Sequence, residues 1–234
     1  MLSQNDIKYI NSLKIKKYRT KYSNFSAEGV KIIKELIEAG LEVVNMYAIS
    51  ADLLQDTRCK IISEKDLEKI TSLQHHYGCL AVFKIPQHTL KIADNEWILL
   101  LDDIQDPGNM GTIIRTCDWF GIKKIICSDG CVDAFNPKVV QASMASIGRI
   151  QLFEEDLSEI TTKYNLPIYG AVLNGKNYHE QRFEKKGFIL IGNEGHGINT
   201  DLQQKITFPI TIPKKGKAES LNAAIATALI LDKL

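Results

Sequence analysis

The apolar positions in the first part of the chain follow patterns that predict a small α/β unit. Apolar residues first recur at helical spacing, so we predict a helix that is capped by Ser26 and ends at Gly40. Its apolar stripe would consist of Val30, Ile33, Leu36 and Ile37. Three short apolar runs predict strands at residues 43–49, 59–62 and 80–85. A second helix is predicted to begin at Ser63, and the polar residues 91–96 predict a linker.

From Trp97 onward, continuous apolar runs alternate with helical segments. Five of these runs are predicted to be strands, at residues 98–101, 124–127, 167–172, 188–191 and 206–212. Continuous apolar runs suit strands that are covered on both faces, which predicts a parallel sheet with crossover helices. The final segment is apolar almost all round from Leu221 to Leu231, so we expect a helix that is buried on several sides or shared with a partner subunit.

Composition indicates a globular protein that works in a reducing compartment. The 234 residues are 44% hydrophobic and 24% charged, and one large or two small domains fit this length. The N-terminus turns polar within its first six residues, so no signal peptide is expected, and no apolar run reaches membrane-spanning length. The cysteines are odd in number: Cys59, Cys79, Cys117, Cys127 and Cys131. We expect reduced thiols in a cytoplasm.

The spacing of Cys127 and Cys131 raises the question of a metal site. No second pair of ligands follows at the spacing of a zinc site. We therefore interpret both as structural cysteines and predict no metal.

A cluster of basic residues near the N-terminus raises the possibility of an RNA surface, although the net charge of +1 by itself does not. Residues 1–22 contain one acidic residue, Asp6, against six basic ones: Lys8, Lys14, Lys16, Lys17, Arg19 and Lys21. Tyr9, Tyr18 and Tyr22 are interleaved with them. Such a segment suits contacts with phosphates and unpaired bases, and it equally suits a solvated helix face.

Three loops that follow predicted strands carry the candidate chemistry, because ligand sites in open parallel sheets lie beyond the carboxyl ends of the strands. The first loop leads into a helix that contains Asn109, Gly111 and Arg115. Backbone N–H groups at Asn109 and Gly111 are predicted to be free for an anion, and Arg115 is predicted to face a phosphate or carboxylate. A capped helix with a surface arginine explains the same residues.

The second loop, within residues 187–198, has three glycines around Asn193, Glu194 and His196. It is not the dinucleotide-binding fingerprint, because the glycine spacing differs and no suitable helix follows. Glu194 is a candidate to orient a substrate or to pair with Arg115, although a loop glutamate is often only solvated. We interpret His196 as structural.

The third loop, within residues 210–234, connects a strand to the final helix. Ser220 is predicted to cap that helix. Asn222 lies near the start of an otherwise apolar helix, where its amide needs hydrogen-bond partners that a binding site would provide.

As an ordered set, the three loops resemble the SpoU (TrmH-like) family of RNA 2′-O-ribose methyltransferases in the SPOUT superfamily. The matching motifs are N-x-G-x-x-x-R-T from Asn109, G-N-E-G-x-G-I from Gly192 and I-P-x-x-G-x-x-E-S-L-N from Ile212. The resemblance spans about residues 97–234, and the preceding region resembles the small RNA-binding domain of many members. It implies an α/β fold with an N-terminal RNA-binding domain (1–90) and a C-terminal trefoil-knot methyltransferase domain (95–234).

The resemblance also implies a cofactor, a partner and a set of functional residues. S-adenosylmethionine (SAM) would bind in the knot near Gly192, Asn193, Ile212, Leu221, Leu173, Asn174 and Gly175. The catalytic set carried over from the family is Asn109, Arg115, Glu194, Ser220 and Asn222. The implied RNA surface is Lys14, Lys16, Lys17, Arg19 and Lys21. Members work as homodimers, and neither DNA nor a membrane is an expected partner.

The family proposal makes the arginine of the first motif the general base, which conflicts with the permanent charge of arginine in proteins. Our hypothesis is that Arg115 binds the phosphate beside the target ribose and stabilises the developing alkoxide. The proton would then leave to Arg115 transiently or to water.

The chain departs from the family at Lys214, where many relatives have methionine, and at Ala145 and Ser146, where Gly-Ala is common. Three other functions stay open: a non-catalytic RNA-binding or ribosome-assembly factor, a knotted base methyltransferase, and a nucleotide-binding oxidoreductase, which the missing fingerprint disfavours. The sequence leaves open whether the substrate is tRNA or ribosomal RNA.

Overall fold

A computed structural model describes residues 2–93 and 95–234 of the chain. In chain order the elements are α1 (Gln4–Ser12), α2 (Lys16–Tyr22), β1 (Asn24–Glu28), α3 (Val30–Glu38), β2 (Val43–Ala48), β3 (Lys60–Ile61), α4 (Glu64–Glu68), β4 (Cys79–Lys84), β5 (Trp97–Leu101), α5 (Pro107–Phe120), β6 (Lys124–Cys127), α6 (Pro137–Ser143), β7 (Gln151–Glu154), α7 (Leu157–Lys163), β8 (Ile168–Asn177), β9 (Gly187–Ile191), α8 (Thr200–Gln203), β10 (Phe208–Thr211) and α9 (Ala223–Leu231).

The chain forms two compact units, and each takes residues from two separate stretches. The first unit consists of Met1–Gln87 and Asp133–Gly148, and the second of His88–Val132 and Arg149–Leu234. The sequence-based ranges 1–90 and 95–234 place residues 133–148 with the second unit instead. These residues join the first unit because α6 packs against β1 and Phe135 packs against Phe25, with ring centroids 5.0 Å apart.

The first unit is built on a four-stranded sheet in the order β1-β4-β2-β3. The predicted strands at 43–49, 59–62 and 80–85 are confirmed as β2, β3 and β4. The prediction that Ser26 caps a helix is wrong, because Ser26 lies in β1 and pairs with Val82. The helix begins only after Gly29, whose φ of 96° is readily adopted by glycine. Pairing with β4 thus overrides the local helix signal.

The second unit is built on a six-stranded parallel sheet in the order β10-β8-β9-β5-β6-β7. The predicted parallel sheet is confirmed, with one further strand, β7, that the sequence pattern did not predict. Neighbouring residues of β5 are fully buried on both faces of the sheet, as the alternating pair Leu99 and Leu100 shows. The strand order changes direction between β5 and β9, which makes this point the topological switch of the sheet.

The pairing of β8 with β10 has a large irregularity. Pro209 pairs with Gly170, but the next residue, Ile210, pairs with Lys176, so residues 171–175 have no partners in β10. The backbone of Gly175 nevertheless lies against β10, since a Cβ atom there would be 2.6 Å from Ile210 N. Only glycine allows two backbones to approach this closely.

The Gly175→Ala variant is therefore expected to be destabilised. The added methyl group meets backbone atoms that cannot rotate away, and overpacking of this kind costs about 1–3 kcal/mol. Urea unfolding measures the loss, and Gly216→Ala serves as the control because a Cβ atom there has no neighbour within 4 Å. Equal stability of the two variants would contradict the close approach at Gly175.

The cysteines confirm the prediction of unpaired thiols. All five are free, and four of them are buried: Cys79, Cys117, Cys127 and Cys131. Burial raises the pKa of the Cys79 thiol to about 11, so this group stays protonated at neutral pH. Within the described ranges, no helix has both the length and the apolar character needed to cross a membrane.

Candidate active site

The loops after β5 and β9 start side by side at the switch point of the sheet. Leu101 is paired with Ile191 at the ends of these strands, and the N–H of Asp102 donates to the Ile191 carbonyl at 2.9 Å. Crevices for ligands in open parallel sheets form at this position, where adjacent loops diverge. The side chains on these loops are therefore the first candidates for a functional site.

The loop after β5 leads directly into α5. Asp106 is the N-cap, and its Oδ1 accepts a hydrogen bond from the Asn109 N–H at 2.7 Å, while Pro107 occupies the first turn. The prediction of a free N–H group at Asn109 is wrong, because the Asp106 carboxylate takes it. That carboxylate also repels an anion at this helix end, so anion binding must depend on side chains elsewhere in the site.

Two hydrogen bonds connect the three loops that the sequence singled out. Asn109 Nδ2 donates to Glu194 Oε1 at 2.5 Å, and Asn222 Nδ2 donates to Asn109 Oδ1 at 2.8 Å. The Asn109 amide thus lies between residues that are 85 and 113 positions away in the sequence. The three loops therefore meet at one place in the second unit.

Asn222, rather than Ser220, caps the final helix. Its Oδ1 accepts hydrogen bonds from Ala224 N at 3.0 Å and Ile225 N at 3.3 Å, while its Nδ2 serves Asn109. The predicted cap at Ser220 is wrong, because the helix begins at Ala223 and Ser220 lies in an exposed segment before it. One amide therefore both starts α9 and holds it beside α5.

Arg115 is exposed on α5, six residues after Asn109. Among residues 2–93 and 95–234, it makes no hydrogen bond or ion pair, and the predicted alternative of pairing with Glu194 is replaced by the contact of Glu194 with Asn109. An arginine without an internal partner keeps its planar set of donors available for a phosphate or carboxylate.

The loop after β9 is a closed turn with Glu194 at its tip. Asn193 and Gly197 exchange backbone hydrogen bonds at 3.1 and 2.9 Å. Gly192 lies under this turn, and a Cβ atom there would be 2.5 Å from Gly197 C. The packing of the turn on itself thus requires glycine at position 192, whether or not a ligand approaches.

The candidate cofactor residues in β8 lie beside the end of β10. Thr211 Oγ1 donates to the Leu173 carbonyl at 3.0 Å, and Ile212 follows directly. The segment Leu173, Asn174 and Gly175 was predicted to follow a strand ending at Val172, but it lies within the longer β8. The side chains of Leu173 and Leu221 are 77% and 44% exposed, so both are available to cover an apolar part of a ligand.

An acidic pair at the end of β5, Asp102 and Asp103, did not feature in the sequence argument. Asp102 is buried, and its Oδ2 accepts a hydrogen bond from Asn199 N at 2.6 Å, which fixes the chain after the Glu194 turn. Asp103 contacts the same turn through His196, whose Nε2 lies 2.9 Å from Asp103 Oδ2. Two consecutive aspartates at the carboxyl end of an apolar strand were the signal that could have found them.

Cys131 lies directly beneath the loop after β5. Its Sγ donates to the Leu101 carbonyl and accepts from the Ile104 N–H, both at 3.3 Å. A hydrogen bond from Cys127 lowers the pKa of Cys131, and the same bond, together with burial, raises the pKa of Cys127. These contacts support the structural interpretation of both cysteines.

The basic segment of the first unit contains residues of two kinds. Lys16, Lys17 and Lys21 are exposed, and Lys14 is exposed while its Nζ donates to the Thr71 carbonyl at 2.7 Å. Arg19 is buried instead, with its guanidinium bonded to the Asp133 carboxylate and to the Leu13 carbonyl. It cannot reach a phosphate from there, so the prediction of Arg19 as an RNA contact is corrected.

Comparison with known proteins agrees with the two-unit architecture. Residues 96–232 match the SpoU rRNA methylase family, and residues 4–81 match the MRM3-like substrate binding domain. The 23S rRNA (guanosine(2553)-2′-O)-methyltransferase RlmP of Bacillus subtilis is 31% identical over 96% of this chain and 94% of its own length.

Solved structures are similar over nearly the whole chain. A structure from Porphyromonas gingivalis assigned to the TrmH family of RNA methyltransferases has a TM-score of 0.89 and 34% identity, covering 100% of this chain and 98% of that one. The AdoMet-bound rRNA methyltransferase of Sinorhizobium meliloti has a TM-score of 0.89 and 26% identity, covering 100% and 95%. The fold and the site together thus define an RNA methyltransferase. The chain belongs to the SpoU rRNA methylase family.

Proposed function

We propose that the protein transfers a methyl group from SAM to a ribose 2′-hydroxyl of ribosomal RNA. The observation that carries the proposal is the hydrogen-bonded series Glu194–Asn109–Asn222 at the switch point, with the exposed Arg115 on the same helix as Asn109. Ribosomal RNA is favoured over tRNA because the Bacillus subtilis relative is a 23S rRNA 2′-O-methyltransferase that aligns with 96% of this chain.

The residues near the ends of β8, β9 and β10 fit SAM as the methyl donor. Backbone groups of Gly192 and Ile212 would bind its polar edges, with Asn193 beside them, and the exposed side chains of Leu173 and Leu221 would cover its apolar surface. Asn174 and Gly175 would border the same space. SAM supplies a methyl group on a positively charged sulfur, and no metal is needed for this activation.

Arg115 would act on the RNA. Its guanidinium would bind the phosphate next to the target ribose and stabilise negative charge as the 2′-oxygen loses its proton. Because arginine stays charged, the proton would pass to water or only transiently to Arg115. Glu194, Asn109 and Asn222 would hold the ribose in line, and the exposed Ser220 is a further candidate for contact with it.

We further propose a trefoil knot and a homodimer for the second unit. The close passage of Gly175 against Pro209 and Ile210 supports a chain that threads past itself. The dimer is supported by large exposed apolar side chains on or beside α5 and α9, namely Trp119, Phe120, Leu221 and Ile225. Sedimentation equilibrium tests the dimer, and a monomer at all concentrations would rule it out. The cytoplasmic location stays a prediction.

The RNA surface is proposed to consist of the exposed lysines of the first unit, Lys14, Lys16, Lys17 and Lys21. Tyr18 and Tyr22 lie beside them with nearly parallel rings, 16° between planes, and Lys21 Nζ is 5.3 Å from the Tyr22 ring centroid. Tyr22 is exposed and Tyr18 is half-buried, and an exposed aromatic ring next to cations suits an unpaired base and its phosphate.

The Lys17→Ala variant is accordingly expected to bind RNA more weakly. Loss of one phosphate contact should reduce the slope of log K against log salt by about 0.7–0.9. Fluorescence anisotropy at several salt concentrations measures this slope, and Lys31→Ala, an exposed lysine on α3, serves as the control. Equal slopes for the two variants would show that Lys17 is not part of the RNA-binding surface.

The substrate proposal is tested by mapping 2′-O-methyl groups in RNA from cells with and without the protein. We expect one ribosomal ribose to lose its methyl group in the deletion strain and to regain it with the wild-type gene, but not with an Arg115→Ala gene. If the methyl group that disappears is in tRNA, the substrate is tRNA rather than ribosomal RNA. An unchanged map would favour a non-catalytic role.

A further inference from the structure

Asp103 has a backbone conformation that a non-glycine residue rarely adopts. It lies in the loop after β5 with φ at 57°, in the left-handed region where a side chain usually costs free energy. Glycine would take this conformation without strain, so the carboxylate at this position calls for an explanation.

The backbone of Asp103 already connects the neighbouring loops. Its N–H donates to Ser128 Oγ at 2.9 Å, after β6, and its carbonyl accepts from Asn193 Nδ2 at 2.8 Å, after β9. Neither bond uses the side chain of Asp103. A glycine at position 103 would keep both of them, so they do not account for the aspartate.

The carboxylate makes a separate set of contacts. Oδ2 lies 2.9 Å from His196 Nε2, and both oxygens accept from Gln105 Nε2, at 3.0 and 3.2 Å. Gly130 provides the space, since a Cβ atom there would be 2.5 Å from Asp103 Oδ1. The His196 side chain is 62% exposed, and a polar contact that is this open to solvent contributes little to folding stability. Folding stability therefore does not explain the contact between Asp103 and His196.

Through these contacts, Asp103 bonds to residues that come before and after Glu194 in the sequence. Asn193, just before Glu194, bonds to the Asp103 carbonyl, and His196, two residues after it, bonds to the carboxylate. Asn193 Oδ1 also accepts from Gly195 N at 2.7 Å and so closes the turn. The tip of the turn carries the Glu194 carboxylate that meets Asn109.

We propose that the Asp103 carboxylate and the His196 imidazole form a positioning pair that sets Glu194 against Asn109 for methyl transfer. The inference rests on the proposed function, since it concerns the geometry of the same site. Neither residue touches the reacting atoms. Small displacements of positioned groups reduce rates strongly, by about 10²-fold for a shift near 1 Å, whereas the loss of an exposed polar contact affects folding little.

The test uses Asp103→Gly, which removes the carboxylate and keeps the backbone conformation and both backbone bonds. We expect kcat to fall by about 10- to 100-fold. The KM for RNA and the Kd for SAM should equal those of the wild type, and the unfolding midpoint should be equal to or higher than that of the wild type. Gln55→Gly is the matched control, because exposed Gln55 also has a positive φ, 53°, and lies outside the site. Its kcat should equal that of the wild type.

His196→Ala supplies the second arm. It should reduce kcat as Asp103→Gly does, and the double variant should be no slower than either single variant, because both remove one pair. The His196→Gln variant, which keeps a side-chain donor, should recover part of the loss. A kcat within about twofold of wild type for Asp103→Gly, or losses that multiply in the double variant, would overturn the proposal.

A spectroscopic measurement separates this proposal from the proposed function. The side-chain amide signal of Asn109 in ¹H–¹⁵N spectra, assigned by its loss in Asn109→Asp, reports the hydrogen bond to Glu194. It should move in Asp103→Gly and His196→Ala but not in Gln55→Gly. An unmoved signal overturns the positioning role even if RNA methylation is absent, and absent methylation with a moved signal overturns only the proposed function.

Discussion

The Arg115→Ala variant is expected to bind SAM as the wild type does but to transfer methyl groups about 10²- to 10⁴-fold more slowly. Arg115 is exposed, so shortening its side chain leaves no cavity in the core and breaks no hydrogen bond or ion pair among the described residues. What the variant loses is the group that we propose to bind the phosphate and the developing alkoxide. Single-turnover transfer from labelled SAM measures the chemical step directly.

Two further variants sharpen this prediction. Arg115→Lys keeps the charge but not the planar pair of donors, and we expect it to recover only part of the activity. Arg182→Ala removes another exposed arginine of the second unit and should leave the rate unchanged. Near-normal transfer by both Arg115 variants would rule out an essential role for this side chain.

The Arg19→Ala variant is expected to lose up to about 3–5 kcal/mol of folding free energy, the cost of removing one partner of a fully buried ion pair. Arg19 holds the Asp133 carboxylate, and the side chains are 3% and 16% exposed. The variant leaves the partly buried Asp133 without its counter-ion. It also removes one contact between residues 133–148 and the rest of the first unit. Urea unfolding, monitored by circular dichroism, measures the loss.

The double variant Arg19→Ala/Asp133→Ala is the control for this effect. It should be more stable than Arg19→Ala alone, because no buried charge is left unpaired. A loss below about 1 kcal/mol in Arg19→Ala would instead fit a surface contact. If it came with a lower salt slope of RNA binding, Arg19 would return to the RNA surface.

Five of the six strands in the parallel sheet of the second unit could be predicted, because their sequences report their burial. The runs at 98–101, 124–127 and 188–191 are apolar at every position or nearly so, and strands covered on both faces need this composition. The strand at β1 could not be predicted in the same way. Its residues are buried by pairing with β4, and Ser26 followed by an apolar periodic segment gave a stronger local signal for a helix cap.

The residues of the candidate site could be predicted individually, but their partners could not. Asn109, Glu194 and Asn222 were found by their motifs, yet the motifs do not indicate that one amide bonds to both of the others. The pairing of Arg19 with Asp133 joins residues that are 114 positions apart, so no local pattern reports it. For the same reason, the basic segment could not be divided into surface lysines and a buried arginine before the fold was known.

The central claim, methyl transfer to a ribose, is tested most directly by the position of the label in the product. Ribosomal RNA from a strain lacking the protein is incubated with the purified enzyme and methyl-labelled SAM, and then hydrolysed with alkali. A 2′-O-methyl group blocks cleavage of the adjacent phosphodiester, so we expect the label in alkali-resistant dinucleotides and no label with Arg115→Ala. Label recovered in mononucleotides would show methylation of a base and contradict the claim.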